Sequence, residues 1–409
     1  MNTRRNFLKN LTLGAGVIVS PNSISPLFSK AKSGVHRVGI LVATSSTNSE
    51  YSESFLNGVH LAFQRISNEN IRFEPITEMV KFGYQSQTIR KTQHLIQNNQ
   101  VNSLISLVNT DVGDRISEIA EAAKIPVVVA NAGENIPSAT IRKNPYLFYS
   151  SLDLCRNSAL SGKLMVYKFG KNISIVSDIH DCGYDTIYSF QSAVEQAGGE
   201  ITNKFINDRT DPMFFERTIQ QLEKGKSDAL FLLMNKHEAT AFLQTYHNNG
   251  LKIPVVTTSF VTEKNLAVQL GSAANNLYHV SSWIKELDNG NNIHFVNAFH
   301  NQFSSDPDQF SFLGYQTGLL TAEIQSVSYQ ESNKPQVRLK NSPSGQSVLN
   351  TQTGFIEQVA YLCKTTQGSF LLPANTVIDQ IETTKDFEES FRKEDENIHS
   401  GWLNPYLFV

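Results

Sequence analysis

Val38 to Ala43 is an unbroken apolar run, the pattern of a strand buried on both faces of a parallel sheet. Thr44 to Tyr51 follows with hydroxyls and one amide, without Pro or Gly, as a polar loop that includes Ser46. The period then changes. Phe55, Leu56, Val59, Ala62, Phe63 and Ile66 share one helical face, with Ser52 as the expected N-cap and Glu50 and Glu53 near the positive helix end. The loop therefore sits at a strand's carboxyl end and a helix's amino end, where open α/β sheets bind ligands.

The same plan recurs. Lys124-Ile125-Pro126-Val127-Val128 returns as Lys252-Ile253-Pro254-Val255-Val256, and each copy runs into a polar loop, Asn131-Ala132-Gly133 or Thr257-Thr258-Ser259. Upstream, the apolar runs Leu104–Val108 and Ala229–Met234 end at Asn109 and Asn235, and Val38–Ala43 has a counterpart in Ile173–Val176. Amphipathic stretches such as Gln85–Gln97, Tyr184–Ala197 and His237–His247 alternate with these strands. Three ordered pairs predict an α/β chain of two doubly wound parallel-sheet lobes, with right-handed crossovers sending each lobe's loops to one edge. Two such edges facing each other make a cleft. Tyr146–Asp153 and Tyr278–Trp283 are the expected crossings between lobes, while Leu313–Ser326 and the strand-like Gln358–Cys363 are expected to return in part to the first lobe. The expected divisions are residues 1–34 as signal and linker, 35–150 and 151–281 as the first parts of the two lobes, 282–364 as returning segments, and 365–409 as a C-terminal extension.

The N-terminus changes the picture of where such a protein works. Thr3-Arg4-Arg5-Asn6-Phe7-Leu8-Lys9 before the apolar Leu11–Ser20 resembles a twin-arginine export signal. The apolar part falls well short of the ~20 residues that a spanning helix needs, so it is read as an address, and no membrane span is expected in the mature chain. Residues 1–32 carry five basic side chains and no acid, so their removal takes the formal charge from −3 to −8. That balance excludes a nucleic-acid partner held by a basic patch. Cys155, Cys182 and Cys363 form no C-x-x-C and no metal spacing, and no required disulfide is expected. P-loop, dinucleotide, nucleophile-elbow and zincin motifs are all missing, which leaves no cofactor to expect.

Taken together, Tyr51 seven residues before Gly58, VNSLISLVNTD, IPVVVANAGEN, SDIHDCGYDTIYSFQSAVEQAGGEI, SDALFLLMNKHEATAFLQ and FLGYQTGLLTAEI resemble the type I periplasmic binding proteins, in their branched-chain amino-acid (Leu/Ile/Val) binding branch. The resemblance runs from about His36 to Lys364. It implies a hinged, non-enzymatic clamp that captures a small solute, often an amino acid, and delivers it to the membrane permease of an ABC transporter from the periplasm. By the same resemblance, the ligand's carboxylate falls near Thr110, Asn131, Ala132 and Gly133 of the first lobe. Backbone N–H groups and a hydroxyl at a helix start are suited to an anion. In the second lobe the family's aromatic position is occupied by Cys182, with Tyr184 close enough to substitute. Its acidic position corresponds to Thr258 or Ser259, neither charged, so Asp181 or Asp111 is left to meet an amino group.

Plainer roles stand beside these. Asn109 and Thr110 also suit a helix cap, Tyr51 and Tyr184 suit rim packing, Cys182 suits a small buried filler, and Asn235 suits a solvent loop. A sensor for a signalling partner fits the same clamp, and an exported enzyme is the different-class rival. The apolar end GWLNPYLFV is expected to pack on its own lobe or to dock a partner.

Overall fold

The computed structural model describes residues 34–44, 49–81, 83–108, 110–133, 144–178, 184–326, 336–367 and 373–381. The expected export signal and the apolar C-terminus lie outside these residues.

Strands β1 (Gly34–Thr44), β2 (Ile71–Lys81), β3 (Ser103–Leu107), β4 (Val127–Asn131) and β5 (Leu147–Ser151) form one parallel sheet in the order β2-β1-β3-β4-β5. Helices α1 (Ser49–Ile66), α2 (Gln85–Gln97) and α3 (Thr110–Ala122) connect them. The apolar run of β1 is used on both faces, as its pattern requires. Val38, Ile40 and Val42 enter one core with Phe55 and Val59 of α1, while Leu41 and Ala43 enter another with Leu95 of α2 and Ile116 of α3. Helix α1 begins earlier than its sequence suggests, so Ser52 is not its cap. Its hydroxyl instead donates to the Ala43 carbonyl at 2.6 Å, tying the helix to the end of β1.

After α4 (Leu154–Lys168), the second sheet takes β6 (Asn172–Asp178), α5 (Tyr184–Gln196), β7 (Glu200–Asn207), α6 (Phe214–Lys224), β8 (Ala229–Leu233), α7 (Lys236–Asn248) and β9 (Val255–Thr257). A 3-10 turn (Ser259–Thr262), α8 (Lys264–Leu270) and β10 (Leu277–Ser281) follow. The order β7-β6-β8-β9-β10 repeats that of the first sheet strand for strand, which is the physical meaning of the sequence repeat. Phe190 and Phe231, stacked at 3.9 Å, fill one face, and Phe242, Leu243 and Ile219 fill the other.

The chain then returns. Helices α9 (Gly290–Phe303) and α10 (Gln309–Ser326) join the first lobe, with the antiparallel strands β11 (Gln336–Arg338), β12 (Ser347–Asn350) and β13 (Ile356–Gln358) beside them. Strand β14 (Ala360–Gln367) extends the second sheet antiparallel to β10, and β15 (Pro373–Ile381) pairs antiparallel with β14 at its edge. Helices α1 and α10 cross at backbone distance. A Cβ on Gly58 would stand 2.0 Å from the Ser311 carbonyl, and one on Gly314 the same distance from that of Phe55.

Among the described residues three crossings therefore join the lobes: between β5 and α4, between β10 and α9, and at Val359 between β13 and β14. The third corrects the sequence expectation, because Gln358–Cys363 is two strands in two sheets and not one. Cys155 and Cys363 are buried, and Cys182 lies outside the described residues.

Candidate functional site

Glu50 and Tyr51, which follow β1, meet Lys236, which follows β8, so the loops at the carboxyl ends of these two parallel strands converge between the lobes. Ser46, Asn109, Asp181 and Cys182 fall outside the described residues. Thr110 and Asp111 occupy the first turn of α3 and Tyr184 the start of α5, with side chains outside the described part.

Asn131, Ala132 and Gly133 do sit together at the end of β4, but their polar groups are largely committed. Asn131 Oδ1 accepts from the Gly133 N–H at 3.0 Å. The three carbonyls accept in turn from the N–H groups of Leu152, Leu154 and Cys155. Gly133 has φ +79°, and a Cβ there would lie 2.6 Å from Ser151 Oγ. The stretch is thus stitched to the first crossing. The Gly133 donor is satisfied within its own turn.

Asn235 caps α7, its side-chain oxygen accepting from the N–H groups of His237 at 2.9 Å and Glu238 at 3.2 Å. Ser259 is half-buried and opens the 3-10 turn after β9, with its carbonyl accepting from Thr262 Oγ1 at 3.0 Å. At the neighbouring sheet edge the buried Asp178 meets Arg209 Nε at 3.2 Å, and Arg209 also reaches Glu238 at 3.1 Å.

Tyr51 is the expected residue on which both lobes converge. Its ring is 5% exposed and stacks on Phe310 at 4.7 Å, and Phe260 of the second lobe lies 5.9 Å from Phe310. Over the Tyr51 ring, 4.4 Å from its centroid, stands Lys236 Nζ from the first turn of α7. Lys236 also lies 3.1 Å from Glu50 Oε1 on α1 and 3.9 Å from Glu263 Oε2. Glu263 Oε1 in turn accepts from the Gln309 N–H at 2.9 Å, a second hydrogen bond from lobe to lobe. A third link, Lys264 Nζ to Asp306 Oδ2 at 2.6 Å, closes the same side.

The electrostatics follow from burial. Desolvation pushes the Tyr51 phenol well above its ordinary range. Burial opposes the charge of Lys236, but Glu263, Tyr51 and Glu50 outweigh it and hold the ammonium above its usual value. Burial, with Asp308 adding to it, raises the Glu263 carboxyl to about 7 against the pull of Lys236. Lys236 and Glu263 are missing from the sequence expectations. A lysine opening a helix and a glutamate after a turn look like solvated surface, and their partners, each other and the opposite lobe, appear only in the folded chain.

Among the described residues no group of three or more His, Cys, Asp or Glu side chains could hold a metal ion, and no helix is long and apolar enough to cross a membrane.

Residues 36–326 match the family model described as periplasmic binding protein. No curated protein matches the sequence. Among solved structures, an ABC transporter substrate-binding protein from Sphaerobacter thermophilus is 22% identical with a TM-score of 0.74, over 87% of this chain and 100% of that one. A solute binding protein of an ABC transporter from Rhodopseudomonas palustris, in complex with 3,4-dihydroxybenzoic acid, is 20% identical with a TM-score of 0.70, covering 86% and 98%. A branched-chain amino acid transporter substrate binding protein from Streptococcus pneumoniae, in complex with isoleucine, is 16% identical with a TM-score of 0.64, covering 84% and 99%. At these identities the likenesses establish the fold.

Proposed function

Because the chain belongs to the periplasmic binding protein family, we propose that it is an exported solute-binding protein that captures a small polar ligand, an amino acid or a related small acid or amide, between its lobes. Delivery is to the permease of an ABC-type transporter, and export is by the twin-arginine route. The protein acts by binding and release, without catalysis.

The observation that carries this reading is the meeting of Tyr51 and Lys236 from opposite lobes, each at the start of a helix that follows a parallel strand. A solute bound there touches both lobes, so its binding energy favours the closed arrangement by its differential contacts. The first turn of α3, with Thr110, and the Asn131–Gly133 stretch supply the first-lobe end of the site. Asp111, Tyr184, Asn235 and Ser259 border it. Dihydroxybenzoate and isoleucine, bound by the two neighbours above, share a carboxylate, which supports an acid as this protein's ligand too.

A thermal-shift screen of amino acids, small carboxylic acids and amides on the mature protein tests the reading. A ligand at 100 times its Kd stabilises by ~2.7 kcal/mol. A compound that raises the melting temperature dose-dependently supports it, and a flat response across all three classes at millimolar concentration contradicts it.

A further inference from the structure

The geometry points to Lys236 as a tethered occupant of the cleft's ammonium position, so that the solute captured carries an acid or amide group but no ammonium of its own. This rests on the solute-binding reading above and narrows it.

Nζ of Lys236 stands 4.4 Å from the centre of the Tyr51 ring, 3.1 Å from Glu50 Oε1 and 3.9 Å from Glu263 Oε2. An aromatic face flanked by two carboxylates is the chemistry that recognises a primary or quaternary ammonium. Here that chemistry is used by the protein's own side chain. The surroundings hold the cage in place. Tyr51 is backed by Phe310, and Glu263 is anchored by the Gln309 N–H, so neither can turn toward a second cation without losing a partner.

Lys236 also belongs to the opposite lobe from Tyr51 and Glu50. Its ammonium therefore bridges the cleft in the way a ligand's ammonium would, at no cost in ligand affinity. A free α-amino acid entering between the lobes would bring a second positive charge beside the first, with the acidic partners already engaged. The same acid without its amino group meets no such repulsion.

Matched pairs test this on the mature wild-type protein: L-leucine against 4-methylpentanoate and L-phenylalanine against 3-phenylpropanoate, by thermal shift and titration calorimetry. The deaminated member of a pair is expected to bind at least 10-fold more tightly. In Lys236→Met, which empties the cage, the preference should shrink or reverse. An amino acid that binds wild type as well as its deaminated partner overturns the inference and leaves the solute-binding reading standing. So does a preference unchanged in Lys236→Met. Binding of neither member of either pair, with other acids and amides also inert, overturns both. The wild-type comparison needs no variant to fold.

Discussion

Gln358 donates from Nε2 to Asp153 Oδ2 at 2.9 Å, joining the last interlobe crossing to the first. The same carboxylate oxygen accepts from Ser282 Oγ of the second crossing at 3.2 Å and lies 3.9 Å from Arg156 Nη1. Arg156 Nη2 donates back to the Gln358 carbonyl at 3.1 Å, and Gln358 Oε1 accepts from Gln316 Nε2 at the same distance. One charge thus couples all three crossings. Asp153 has φ +57°, a left-handed conformation that Asn tolerates nearly as well. Asp153→Asn therefore removes the charge with little added strain and gives up its ion pair with Arg156. The expected loss is ~1–3 kcal/mol in chemical denaturation. An unmoved midpoint would show that the knot contributes nothing to stability.

The contact of α1 with α10 makes a sharper steric prediction. At Gly58 or Gly314 an added methyl meets backbone, which cannot step aside as a side chain can. Gly58→Ala and Gly314→Ala should each cost about 3 kcal/mol. Gly290, whose added Cβ meets nothing within 4 Å, is the control, and Gly290→Ala should stay within about 0.5 kcal/mol of wild type. Thermal unfolding of the three variants decides it, and equal behaviour would refute the close crossing.

Glu263 predicts a pH dependence. Its carboxyl is raised from 4.5 to about 7 in the folded chain, so the native state holds a proton that the unfolded state releases between those values. Its stabilising contribution is complete below about 4.5 and is lost as pH rises through about 7. The amount is on the order of 3 kcal/mol at most. Glu263→Gln keeps an acceptor for the Gln309 N–H and cannot titrate. Wild type should therefore lose stability relative to this variant from pH 4.5 to 7, and parallel stability curves would contradict the assignment.

How much of this was readable in the sequence depends on what each residue answers to. The central strands and the two-lobed repeat were legible because β1, β3, β4, β8 and β9 are buried on both faces and so carry continuous apolar runs. The crossing at Val359 was not, because one residue separates two strands and leaves no break in the pattern. Tyr51 was singled out through the resemblance, by its place seven residues before Gly58. Lys236 escaped, since its partners Tyr51 and Glu50 lie 185 and 186 residues away in the chain. Gly133 was placed correctly after β4, but its N–H is taken by an Asn131 turn that only coordinates reveal.

Thr110, at the first turn of α3, separates binding from capping. If its hydroxyl holds the ligand's charged end, Thr110→Ala should weaken binding by ~1.5–3 kcal/mol, or roughly 10- to 150-fold, with near-normal stability. A cap would show instead as about 1 kcal/mol of lost stability with affinity intact. Titration calorimetry with an acid identified by the screen, beside chemical denaturation, distinguishes the two.

Solution scattering of the mature protein with and without a saturating, stabilising acid tests the clamp itself. Closure about the crossings near Ser151, Ser282 and Val359 predicts a smaller radius of gyration in the bound state. A profile unchanged at saturation would contradict it.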